Sequence, residues 1–369
     1  MKGWKNDSRK ALGILSQSEN QRAFWPDLLR TVALFAVVMI HVHAWDFKKL
    51  NASDLSGFLL IDLLCYWSVP VFVMISGGLL LKPNSINTKE EPVLFLKKRW
   101  RRMFRPMIVW GVFATLWGVF ALGQSQEETL RRTLLGIPND PQWFLYMMLG
   151  LYLVTPTLRL LILSPGFERK HLTAVILLLY TANLVVLIQQ MTGYQEEIEF
   201  PINSFLFLDF YLLGMVVSRV DIWSRGTDRC VVGSALLLTV LFAVSAILFP
   251  TQIREFRMIF SHHHSPLVLL QAVAIFRSAV NFEASRITGI RLADTKMGNI
   301  VRQSSDWSFG IYLIHPFVLN VLFKYVLRPI DGPFLVYSLV IWVLTMIASC
   351  LGCYILRSQK VTGWMIPAS

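Results

Sequence analysis

With 369 residues, 54% of them hydrophobic and 16% charged, and with 12 Trp and 25 Phe, the chain is too apolar for an ordinary soluble domain and reads as a polytopic membrane protein. Its formal charge of +12 would raise nucleic acid as a partner of a soluble chain. Here the basic residues sit between apolar runs, where the positive-inside rule accounts for them, so the expected partner is the lipid bilayer and no nucleic acid.

Residues 1–27 carry basic and polar groups without an apolar core long enough for a cleavable signal, so the first apolar run is expected to stay as a span after a tail at 1–24. Runs able to cross ~30 Å of hydrocarbon fall at 28–45, 57–81, 106–122, 143–163, 172–190, 202–220, 230–249, 265–282, 308–327 and 334–356. The predicted fold is therefore all-α: a polytopic bundle of about ten transmembrane helices forming one domain over 1–369, with a tail at 357–369. Lys and Arg number 25 in the segments on the terminal side and 7 on the other, which places both termini in the cytoplasm. No period of 20–50 residues repeats, so a solenoid is excluded. With thirteen residues after 356, the chemistry is expected of the helical bundle itself.

The first span holds Asp27, Arg30 and His41. Eleven residues from Arg30 to His41 make almost three turns, about 16 Å, so all three share one helix face. Singly, each has a bland explanation: Arg30 snorkels to the headgroups and His41 packs. Together, on one stripe of an apolar helix, they point to function.

In the second span, Asp62 lies at about the depth of His41 by helical rise, so its carboxylate is expected to accept a hydrogen bond from one ring nitrogen and leave the other basic. The alternatives are that Asp62 is protonated or that it pairs with a basic group elsewhere in the bundle. Pro70 predicts a kink, and Ser76, Gly77 and Gly78 permit either close helix packing or close approach of a ligand.

The run KKRWRRMFRP follows. Such runs commonly anchor a helix at anionic lipid. Arg99 and Arg102, one α-turn apart, would alternatively form a guanidinium fork for phosphate, which suggests a phosphorylated acyl carrier such as coenzyme A. The tract His262-His263-His264 reads as a solvated loop rather than a metal site. Ser308, Tyr312 and His315 share a helix face, with His315 predicted ~10 Å inside the cytoplasmic boundary. It either lines the donor's route or is a satisfied core histidine. Cys350 and Cys353 form a C-x-x-C inside an apolar run, without a context for redox chemistry, and are expected to pack.

Five segments in order, DLLRTVALFAVVMIHV, VPVFVMISGGLLL, Arg99-x-x-Arg102 ahead of Pro106, QWFLYMMLGLYLVTP and FGIYLIHP, resemble the membrane-bound acyltransferase 3 family over about residues 25–356. The subgroup most similar is the stand-alone O-acetyltransferases of surface or exported polysaccharide. The resemblance implies a bacterial inner (cytoplasmic) membrane enzyme that moves an acetyl or other short acyl group from cytoplasmic acyl-CoA to a sugar hydroxyl of a lipid-linked or exported glycan. It makes Arg30 and His41 the essential pair, and Arg99 and Arg102 the arginines linked to the donor. Arg105 extends the basic run, so Arg102 and Arg105 are an alternative pair.

The expected catalytic residues are thus His41, Arg30 and Asp62, with His41 as general base or transient acyl carrier and Arg30 stabilising charge or orienting the donor. Arg99, Arg102, Ser76, Gly77, Tyr312 and His315 are the expected acetyl-CoA contacts. No metal is expected, and the partners are acyl-CoA, a glycan or polyprenyl-linked sugar acceptor, and polysaccharide-assembly proteins. A transporter or flippase of a glycan intermediate is the second reading, although such folds commonly show paired broken helices and only Pro70 interrupts a span here. A sensor or scaffold is a third.

Overall fold

A computed structural model of the protein describes residues 23–44, 54–81, 91–134, 142–191, 202–219, 223–255, 257, 261–284, 292–326, 334–359 and 362–367. Among these there are helices and no strands, as an apolar chain that must satisfy its backbone internally requires. Nine helical segments among the described residues are long and apolar enough to span a membrane, and a shorter apolar stretch lies at Ser204–Val217.

Helix α1 (Trp25–Ala44) begins where the Glu283 carboxylate accepts hydrogen bonds from the Phe24 and Trp25 N–H groups, each at 3.0 Å. A distant acid thereby satisfies donors that a local cap would otherwise meet. The second predicted span is two helices, α2 (Leu55–Cys65) and α3 (Ser68–Leu80), interrupted at Tyr66 and Trp67. The break follows from Pro70, which has no N–H for the Tyr66 carbonyl four residues earlier.

Helix α4 (Pro92–Arg99) runs through a π-turn (Trp100–Phe104) into α5 (Arg105–Phe120), so the third span starts well before the predicted 106. A short helix, α6 (Gln126–Leu134), is polar and surface-bound, its Arg131 donating twice to Glu128. The spans α7 (Trp143–Leu163) and α8 (Arg169–Met191) follow. The predicted span 202–220 is a short pair, α9 (Ile202–Leu206) and α10 (Leu208–Val217). Next come α11 (Arg225–Leu248), the short α12 (Pro250–Glu255) and α13 (Pro266–Ala284). Helix α14 (Lys296–Val321) starts twelve residues before its predicted span and ends in a π-turn (Leu322–Val326); α15 (Phe334–Ser358) completes the bundle.

Burial separates an inner from an outer set of helices. The apolar window of α2–α3 is 72% buried, whereas those of α8 and α11 are 17% and 11% buried and present Leu177, Leu178, Leu236 and Leu237 outward, as lipid-facing helices do. The tightest inner contact is α3 on α10. A Cβ on Gly77 would lie 1.7 Å from the Tyr211 carbonyl oxygen, and one on Gly214 would lie 2.0 Å from that of Met74. The two backbones are therefore in direct contact, the arrangement small residues allow in lipid, where packing rather than water expulsion drives association. Gly77 thus serves helix packing, and the expectation that it touches a donor is withdrawn because its open face is filled by Tyr211.

The segment after α15 is more than a loose tail. Ile366 is buried in the notch left by Gly310 on α14, Trp110 Nε1 donates to the Met365 carbonyl at 3.2 Å, and Trp364 lies 3.8 Å from the Arg105 guanidinium. Cys353 packs in the same notch and Cys350 is half-buried, both as free thiols.

Candidate active site

The long α1 brings Asp27, Arg30 and His41 onto one helix, as the spacing requires. At its start Asp27 is buried, accepts a hydrogen bond from Ser305 Oγ of α14 at 2.8 Å and lies 3.6 Å from Arg30. Thr31 Oγ1 donates to the Val301 carbonyl at 3.1 Å. The acidic end of the stripe therefore docks α1 onto α14 and holds Arg30 beside it.

At the other end of the stripe, His41 meets His315 of α14. Their rings are 5.1 Å apart, and His315 Nε2 is 3.4 Å from His41 Nδ1. His41 Nδ1 also lies 2.8 Å from the Val37 carbonyl, and His315 Nδ1 lies 3.2 Å from that of Ile311. A carbonyl only accepts, so both Nδ1 atoms carry the proton, and the bare His315 Nε2 shares the His41 Nδ1–H with Val37. That assignment leaves Nε2 of His41 as its basic nitrogen, the tautomer a general base needs.

Asp62 does not take the orienting role expected of it. Its buried carboxylate is held by Arg257, with Nε at 2.5 Å, and that guanidinium stacks 4.8 Å from Phe58. The outcome is one of the alternatives the sequence allows, a pair with a basic group elsewhere in the bundle. Val37 and His315 both orient His41, and the latter sits about 28 Å along α14 rather than near its start.

A set of rings surrounds the histidine pair. Tyr312 lies 5.7 Å from His315 and 5.6 Å from Phe144, which in turn lies 6.1 Å from Phe72 and 6.3 Å from Trp143. Trp143 is 5.8 Å from His263, and His263 is 5.4 Å from Tyr66. His41, Tyr66, Phe72, Trp143, Phe144, Tyr312 and His263 all keep part of their surface open although they touch rings of other helices. They come from α1, α3, α7, α14, the break before α3 and the turn before α13, and the ring contacts join them into one half-buried cluster. Ser76 shares this half-buried character and donates to the Phe72 carbonyl at 3.3 Å.

The histidine tract departs from the solvated loop expected of it. His264 is 3% exposed, 4.9 Å from Phe207 and 3.9 Å from Asp209 Oδ2, and His263 sits among Tyr66, Trp143 and Phe207. Burial lowers His262 to about 4 and His263 to about 3, so both are neutral near pH 7. No group of three metal-ligating side chains occurs among the described residues.

At the basic end, the expected Arg99–Arg102 fork is opened by the π-turn. Its extra residue per turn makes a three-residue step fall short of one revolution, so Arg99 turns inward while Arg102 is exposed. Arg99 lies over Phe95 at 5.1 Å and over Tyr152 at 5.5 Å. The cation that joins it is Arg159, 4.4 Å from the same Phe95 ring and donating to the Leu80 carbonyl at 3.0 Å. Arg159 carries one signal in the sequence, an arginine inside a span, and no motif that assigns it a role. Arg277, another in-span arginine, is structural: it is fully buried and donates to Asp228 at 2.7 and 2.8 Å.

No curated protein and no solved structure matches the chain. The acyltransferase 3 family model, described as an acyltransferase domain, matches residues 24–358, a span that starts just before α1 and ends with α15. The chain therefore belongs to the membrane-bound acyltransferase 3 family and is a multi-pass membrane acyltransferase.

Proposed function

We propose that the protein is an acyl-CoA-dependent O-acetyltransferase of a bacterial inner membrane, moving an acetyl group to a sugar hydroxyl of a lipid-linked or exported glycan. The observation that carries this reading is the His41 imidazole, held through Nδ1 by Val37 and His315 and half-buried beside a cluster of aromatic rings. An activated thioester needs only a positioned hydroxyl, a base and stabilisation of the oxyanion. In the proposed step His41 Nε2 accepts the hydroxyl proton as the alcohol oxygen bonds to the thioester carbon. The tetrahedral oxyanion then expels the sulfur, which leaves as the thiol after taking that proton from the imidazolium. Arg30, about 16 Å away by helical rise, is too far to touch that oxyanion and is assigned to orienting the donor. Arg99 and Arg159, a pair of half-buried cations at the basic end, are suited to the donor's phosphates.

The test is transfer of labelled acetyl from acetyl-CoA into envelope glycans, followed by mass spectrometry of the glycan. His41→Ala should abolish the acetyl increment while the protein remains in the membrane. Double replacement of Arg99 and Arg159 by Gln should raise the KM for acetyl-CoA and leave that for the glycan unchanged. Unaltered acetyl-CoA affinity in that variant assigns the two arginines to packing, and wild-type membranes that transfer no acetyl overturn the reading.

A further inference from the structure

His263 is placed unlike a core histidine. It stands in the turn before α13, and its ring lies 5.4 Å from that of Tyr66, the residue whose carbonyl Pro70 deprives of a helical donor. Its Nδ1 is buried and has no hydrogen-bond partner. A buried polar atom without a partner costs free energy unless something supplies the missing bond. The rings around it, Trp143, Tyr66 and Phe207, are aromatic, and the first two are only half-buried, as His41 is.

We infer that this corner of the interior is the acceptor subsite, in which the Trp143 ring carries one apolar face of a pyranose and His263 Nδ1 bonds a hydroxyl next to the reacting one. The assignment rests on the reading of the protein as a sugar O-acetyltransferase and adds to it the residues that hold the sugar. The chemistry of the corner fits a pyranose better than a lipid chain. A sugar ring has C–H faces that lie on an aromatic plane, and hydroxyls that both donate and accept. A hydroxyl therefore satisfies Nδ1 in whichever tautomer the imidazole adopts. An aliphatic chain would fill the aromatic corner but leave Nδ1 unpaired. Trp143, Phe144 and Tyr312 form an unbroken path of rings from His263 to His315, so a ring stacked on Trp143 directs its neighbouring hydroxyl inward toward His41. His263 and Trp143 act here as positioning residues that set which sugar and which hydroxyl reach the base.

The experiment measures transfer by the full chain in nanodiscs, with labelled acetyl-CoA and the cell's own envelope glycan fraction titrated as acceptor. His263→Ala and Trp143→Ala should each raise the acceptor KM about 10-fold, the scale of a lost hydrogen bond or aromatic contact. The KM for acetyl-CoA should stay within about two-fold in both, since these residues are assigned no donor contact. His263→Asn and Trp143→Phe keep the polar group and the aromatic face, so they should recover most of the affinity. If the Ala variants do not accumulate in the membrane, the Asn and Phe variants decide against His263→Leu and Trp143→Leu, which keep bulk but not function. An unchanged acceptor KM in folded Ala or Leu variants overturns the inference, as does an equal loss in the donor KM. Failure of the wild-type protein to transfer acetyl at all overturns instead the reading on which it rests.

Discussion

The contact of α3 with α10 and the contact of α1 with α14 put two kinds of membrane helix interface side by side. In the first, Gly77 and Gly214 let backbones touch, and the Met74 and Tyr211 side chains beside them are buried. In the second, the interface starts with a buried acid, Asp27, and ends with an imidazole pair of which His41 stays half-open. A bundle in lipid gains little from burying more hydrocarbon, so it fixes its geometry where small residues allow close approach and can leave polar groups elsewhere. The first contact is dry and close, the second polar and half-open at its histidine end.

The largest effect should come from breaking the dry contact. Gly214→Ala places a Cβ 2.0 Å from the Met74 carbonyl, an overlap no rotamer relieves, and should abolish membrane accumulation, read by immunoblot and thermal unfolding in detergent. Next, His41→Ala should lower turnover by about 10²–10⁴-fold with normal accumulation. His315→Ala sharpens the comparison, since it removes an orienting group and leaves the base: turnover should fall about 10–100-fold, the range seen for partners that orient a functional histidine. Smallest in rate is Asp62→Asn, which breaks the pair with Arg257 and should cost about 1–3 kcal/mol of stability while leaving turnover within about two-fold. A large loss of turnover in Asp62→Asn with unaltered melting would return Asp62 to the catalytic group.

What could be read from the sequence follows from how locally each feature is encoded. The Arg30-to-His41 stripe and most spans depend on residues within one helix, and the structure reproduces them. The partner of His41 depends on rotation and depth of a helix far along the chain, which periodicity cannot supply. Depth alone selected Asp62, and an assumed start at residue 308 placed His315 too near the basic boundary, whereas α14 begins at Lys296. The π-turn at Trp100–Phe104 undid the Arg99–Arg102 fork because a helical wheel presumes a uniform period. Three consecutive histidines look hydrophilic by composition, yet the turn that holds them is roofed by Tyr66, Trp143 and Phe207.

The two imidazoles are separated by 274 positions in the chain. During synthesis the first helix is laid into the bilayer long before its counterpart is translated, so a growing chain carries one half of the pair and no ordered base. Activity can therefore begin only after α14 has inserted, and acyl-CoA present in the same compartment meets an inert intermediate until then. The same separation means that two co-expressed fragments, divided in the polar segment between α10 and α11, each hold one member of the His41–His315 pair. Recovery of acetyl transfer from the pair would time the birth of the active centre by the docking of helices rather than by the folding of either half.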